Sequence, residues 1–148
     1  MAVAGPDDRP VLDQVNLVVS DMPAVVDFYR RLGLTLPDQG PWNAYHRTAD
    51  TPEGLDFDFD SADFAAKWNE GFPGLGGRGA VVLGFKVATR DAVDRIYADL
   101  TGAGHRSQQE PYDAFWGARY AIVEDPDGNA VGIMSPMDDR YRGVPPEM

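Results

Sequence analysis

Moved along by 68 positions, residues 15–32 of this chain fall on residues 83–100 without a gap. Val15 then lies on Leu83, Leu17 on Phe85 and Val19 on Val87. Further on, Ala24 meets Ala92, Val25 meets Val93, Tyr29 meets Tyr97 and Leu32 meets Leu100. Single matches of this kind arise by chance, but an ungapped run spanning two different periodicities does not, so the chain is a tandem duplication. Whatever the unit is, it must form twice within 148 residues, the size of one domain with room for a real core.

The unit opens with Val15, Leu17 and Val19 alternating with Gln14, Asn16 and Val18, the period of a strand with one packed face. Asp21 then stands where a helix N-cap would, with Pro23 in the first turn. Val25, Phe28, Tyr29 and Leu32 recur at helical spacing, and Gly33 suits a left-handed helix end. The second copy repeats this with a strand over 81–87 and an amphipathic helix from Arg90 to Leu100, ended by Gly102 and Gly104. Three short strand candidates follow each helix: 34–36, about 44–48 and 55–59, then about 106–109, 119–124 and 130–134. Asp125-Pro126-Asp127-Gly128-Asn129 joins the last two as a hairpin, since Pro presets φ, Gly supplies positive φ, and Asp and Asn bond back to the backbone.

The predicted architecture is α+β: two tandem βαβββ units, about 11–60 and 80–136, forming a curved mixed sheet around a cleft with helices on the outer face. All of 1–148 belongs to that single domain. Within the connector 61–79, residues 61–68 read as a short helix capped by Ser61, followed by a glycine-rich stretch. The polar, proline-bearing tail 137–148 is expected to be extended or loosely ordered.

Composition narrows the chemistry. The chain has no cysteine, which removes disulfides, thiolate metal ligands and a cysteine nucleophile. Residues 1–8 have neither the basic nor the apolar region of a signal peptide, and no apolar run approaches the ~20 residues that span a bilayer, so a cytoplasmic protein with no membrane partner is expected. The formal net charge of −11 opposes binding to nucleic acid and attracts small cations, unless the acidity serves solubility alone.

Two βαβββ units, the opening Leu12-Asp13-x-Val15-x-Leu17-x-Val19-x-Asp21, the pair Phe28-Tyr29 and the terminal 125–129 turn together resemble the vicinal oxygen chelate superfamily. That superfamily includes glyoxalase I, extradiol dioxygenases, fosfomycin-resistance enzymes and bleomycin-resistance proteins. The resemblance covers roughly residues 11–136 and speaks for fold more than for chemistry. It implies metal ligands on the first and last strands of each unit, which by position fall on Gln14, Val82, Asp56 or Asp58, and Gly132. Valine and glycine donate no lone pair, and Gln14 with one or two aspartates falls short of a three-ligand catalytic centre. Neither His46 nor His105 sits where a ligand is needed. No metal or other cofactor is expected, which places the chain nearest to metal-free bleomycin-resistance-like members. The resemblance also implies a homodimer.

If Val15, Leu17 and Val19 pack on helices, then Gln14 and Asn16 face the cleft, as do Asp56 and Asp58, while the second unit contributes Val82, Gly84, Lys86, Gly132 and Met134. Asp56 and Asp58 belong either to a solvated polar face or to a site for a ligand amine or hydroxyl, with Lys86 as an internal alternative partner. Gly84 and Gly132 leave floor space for a bulky ligand or allow close backbone packing. Tyr112 and Trp116 either stack on a planar ligand or pack a loop, and Arg119 is placed to pair with a ligand carboxylate. These residues point to metal-independent binding of a small cationic or aromatic molecule, such as sequestration of an antibiotic or other natural product. The competing expectations are a metal-dependent lyase, isomerase or dioxygenase and a non-catalytic interaction domain.

Overall fold

The computed structural model describes residues 14–52, 54–70, 72–75 and 81–147. The Leu12-Asp13 opening of the motif, residues 71 and 76–80 of the expected connector, and the ends of the chain lie outside them.

Strand β1 (Gln14–Val19) leads into helix α1 (Met22–Leu32), followed by a 3-10 turn (Gly40–Trp42) and strands β2 (His46–Ala49) and β3 (Asp56–Ser61). Helix α2 (Ala62–Trp68) follows, then β4 (Val82–Lys86), helix α3 (Arg90–Gly102), β5 (Ser107–Asp113), β6 (Arg119–Glu124), β7 (Ala130–Met134) and a 3-10 turn at Asp139–Tyr141. This is the expected α+β fold of two βαβββ units. Each unit forms its own sheet, in the orders β1-β3-β2 and β4-β7-β6-β5. In both, the first strand runs parallel to the last, as Gln14 opposite Asp56 and Val82 opposite Ala130. The candidate strand at 34–36 forms only one bridge, from Thr35 to Asp50.

The capping residues act as their chemistry requires. Asp21 accepts from the Ala24 amide, Ser61 from Phe64 and Thr89 from Ala92. Gly33 ends α1 at φ 119°, where its N–H reaches the carbonyls of Tyr29 and Arg30. The helix-facing sides of both sheets share one core, in which Phe28 and Tyr29 of α1 meet Phe57 and Phe59 of β3, and Val93 and Leu100 of α3 meet Val123, Val131 and Ile133.

A polar contact crosses the core. The Tyr29 hydroxyl donates to Asp125 Oδ2 at 2.8 Å, tying α1 of the first unit to the closing hairpin of the second. Burial, reinforced by the Asp125 charge, holds this phenol far above its ordinary pKa. Asp125 also accepts from the Asp127 and Asn129 amides and from the Asn129 side chain. With those donors retained, Tyr29→Phe is expected to cost only about 1 kcal/mol, measured by urea denaturation.

Backbone pairing, which composition does not reveal, fastens part of the C-terminal tail. Asp138 N donates to Gly117 O at 3.0 Å, Gly143 N donates to Phe115 O at 2.9 Å, and Trp116 bridges to Arg142. The Arg90 guanidinium lies 3.8 Å above the Tyr141 ring. Gly117 is the pivot: its φ is +94°, and a Cβ there would meet the Asp138 carbonyl oxygen at 2.6 Å. Gly117→Ala therefore combines backbone strain with loss of the docked tail. The expected loss is about 2–3 kcal/mol, seen as a fall of roughly 5–10 °C in Tm.

Candidate functional site

Strand alternation gives each sheet a face turned away from the α1–α3 core. In the first unit, register pairs Gln14 with Asp56, Asn16 with Asp58 and Val18 with Asp60, while β2 adds His46 beside Asp60 and Thr48 beside Asp58. In the second unit the same positions hold Val82 with Ala130, Gly84 with Gly132 and Lys86 with Met134, and β6 adds Tyr120 and Ile122. The duplicated framework thus carries two unlike cups, one polar and one largely apolar.

The polar cup is closed by α2. Trp68 Nε1 donates to Asp60 Oδ2 at 3.0 Å and the Phe64 ring packs near His46. Asp60, only 3% exposed, also accepts from Asn16 Nδ2 at 2.9 Å. Its other oxygen lies 2.5 Å from His46 Nδ1, and His46 Nε2 lies 3.1 Å from the Thr48 hydroxyl. An ionised carboxylate only accepts, so Nδ1 carries a proton, and Nε2 faces the Thr48 hydroxyl. Asp58, 4% exposed, accepts from the Gln14 amide. Of the expected cleft residues, Asn16 joins the Asp60 network and Gln14 pairs separately with Asp58, whereas Asp56 is exposed at the start of β3.

The second cup is open. A cavity of about 620 Å³ is lined by Val82, Gly84, Lys86, Trp116, Tyr120, Met134 and the tail residues Pro136 and Met137. Trp116 stands edge-on to Tyr120, with ring centroids 5.6 Å apart, and its indole N–H points to Met134 Sδ. Tyr112 completes an aromatic wall, 6.4 Å from Trp116 and 6.3 Å from Tyr120. Partial burial, helped by the neighbouring Tyr112, raises the Tyr120 phenol above its ordinary pKa.

Of the expected floor glycines, only Gly84 leaves space, with nothing within 4 Å of a Cβ built on it. The Tyr120 hydroxyl already fills the space above Gly132, 2.6 Å from where a Cβ would sit. Arg119 belongs to the opposite face: its Nε donates to Asp94 of α3 at 3.1 Å, and it also pairs with Asp113. It shares that face with Ala121 and Val123, both fully buried, so it does not meet a ligand in the cup. Lys86 forms no ion pair with Asp56 or Asp58. Sequence reasoning passed over Tyr120, although its alternation with Ala121 and Val123 was there to be read, and over Asp60, which has the parity of Asp56 and Asp58.

The donors present do not fit a divalent metal. Among the described residues no three His, Asp or Glu side chains gather to hold an ion. Gln14 offers only a neutral amide oxygen, and Asp60 is engaged by three donors. In the second unit, Val82 offers no donor atom and Tyr120 covers Gly132.

Two βαβββ units, each turning one sheet face to a helix and the other to a cup, define a scaffold for holding small molecules between strands. The chain belongs to the Glyoxalase/Bleomycin resistance protein/Dioxygenase superfamily, whose profile matches residues 11–133. Among solved structures it is similar to a glyoxalase/bleomycin resistance protein/dioxygenase family enzyme from Burkholderia phytofirmans PsJN (24% identity, 84% of this chain and 97% of that one, TM-score 0.69). A glyoxalase-related enzyme from Fulvimarina pelagi aligns at 17% identity over 85% and 88% of the two chains, with TM-score 0.72. Lactoylglutathione lyase from Agrobacterium tumefaciens aligns at 17% identity over 86% and 94%, with TM-score 0.61. At these identities the likeness is one of fold. Comparison with curated proteins gave no match.

Proposed function

We propose that this chain is a metal-independent binding protein whose second cup holds a planar, aromatic small molecule. The observation that carries the reading is the wall of Tyr112, Trp116 and Tyr120 beside the open floor at Gly84. Flat rings of a ligand would stack on that wall at little cost in side-chain ordering. The charge of the whole chain draws cations toward it, but the cup itself is lined by Lys86 and by no carboxylate, which favours a neutral or anionic aromatic. In its finer form the reading is sequestration of an antibiotic or other bulky natural product in a cytoplasmic protein, protected by burial without reaction. A homodimer is part of the proposal, supported by the exposure of Val81, Val82 and Met137 around the cup. Light scattering at about twice the chain mass would bear that out.

Titration of Trp116 fluorescence with 2-naphthoate, 2-naphthol and 2-naphthylmethylamine, then with bulky aromatic natural products, tests the binding. Saturable quenching ordered anion, neutral, cation is expected, and silence across all of them overturns the reading.

A second reading is carried by the Asp60–His46–Thr48 chain, which has the geometry of an oriented base and would support metal-free acid–base chemistry in the first cup. Any turnover found should then vanish in His46→Gln.

A further inference from the structure

A second cavity, of about 740 Å³, lies on the helix side of the first sheet, on the face opposite the polar cup, and Arg30 and Arg47 are part of its wall. Both guanidiniums converge on one carbonyl: Leu36 O accepts from Arg30 NH2 at 2.6 Å and from Arg47 NH2 at 3.1 Å. Arg47 makes one more bond from the same nitrogen, to Pro37 O at 3.0 Å, and its Nε has no acceptor. Neither arginine forms an ion pair among the described residues. Asp38 attracts both through space but bonds to neither, so two adjacent guanidiniums share one acid that does not touch them.

The burial sharpens this. Arg47 is only 7% exposed, and desolvation together with the Arg30 charge pushes its guanidinium below the ordinary value, against the opposing pull of Asp38. A buried cation beside a like charge is tolerated when an anion offsets it. The carboxylates nearby are engaged elsewhere: Asp38 holds the Gly40 amide and the Asn43 side chain, Asp21 caps α1, and Asp27 pairs with Arg31. Ser20, Asn43 and Ser61 add polar side chains to the cavity wall.

We propose that this cavity is an oxyanion site, in which Arg30 and Arg47 hold a carboxylate or phosphate group of a small ligand. The guanidinium fork matches both groups, each of which offers paired oxygens to paired N–H donors. Seating the anion turns Arg47 so that Nε gains its missing acceptor. Asp21 and Asp27 also line the cavity and disfavour polyanions, so a singly charged carboxylate is expected to bind better than phosphate.

The test is titration of the full chain with sodium acetate, sodium benzoate and inorganic phosphate at constant ionic strength, with chloride as the reference. Binding is followed by the Arg47 Nε–H signal in ¹⁵N NMR and by Tm. Saturable movement of that signal and a rise in Tm with a carboxylate or phosphate, but not with chloride, are expected. Arg30→Gln, at an exposed position where folding is not at risk, should weaken the effect at least tenfold. An Arg47 signal unmoved by every anion, or Arg30→Gln binding as tightly as wild type, overturns the proposal. Gly84→Leu should leave this binding intact, so failure here and failure of the aromatic cup are told apart.

Discussion

Gly84→Leu is expected to abolish binding of aromatic ligands in the second cup, by at least tenfold in Kd, while Tm stays within about 2 °C of wild type. Gly84 is on an exposed stretch of β4 with no positive φ, and a Cβ there meets nothing within 4 Å. A leucine therefore enters without a clash and adds strand propensity that glycine lacks. Its side chain projects into the cavity bounded by Trp116, Tyr120 and Met134, the volume a planar ligand would need. Trp116 fluorescence titration reads the binding and a thermal melt reads the fold. A variant that binds 2-naphthoate like wild type would mean that the ligand lies elsewhere.

Asp60→Ala should have the opposite profile, a large loss of stability with the second cup's binding retained in the molecules that fold. Three side-chain donors end on this carboxylate: Asn16 Nδ2, His46 Nδ1 and Trp68 Nε1. His46 and Trp68 are partly exposed and can regain water, so the cost falls below that of three buried orphans. About 3 kcal/mol is expected, with roughly a 10 °C fall in Tm and early loss of α2, whose Trp68 anchor is gone. Urea denaturation followed by Trp fluorescence and far-UV circular dichroism measures both. A change under 1 kcal/mol would show that the network does not hold the cover in place.

The fold was legible because its information is local and repeated. The alternation of Val15, Leu17 and Val19, the Asp21 cap and the 125–129 turn each act within a few residues, and the duplication states them twice. Bringing Gly84, Lys86 and Met134 into one cavity needed only strand parity in addition, whereas Trp116 lies in the loop between β5 and β6, where parity does not apply. Arg119 was misplaced because it sits at a loop–strand junction, where parity must be counted from Ala121 and Val123 rather than from the loop. The partnership of His46 with Asp60 depends on which residues of β2 and β3 face each other, a register that the loop between them leaves undetermined in sequence. The direction in which 62–68 folds back is equally non-local: its pattern predicts a helix, not the cup it covers. Gly132 carried a real signal of open volume that a neighbouring ring had already used.

Because the two sheets are laddered separately, each half of the duplication answers to its own selection. Swapping one lining residue for another around Met134 disturbs no hydrogen bond of the Asp60 cluster, so the second half can drift toward new guests while the first acts as ballast. A library confined to the walls of one copy should therefore yield folded proteins with altered ligand preference far more often than the same number of changes spread over both.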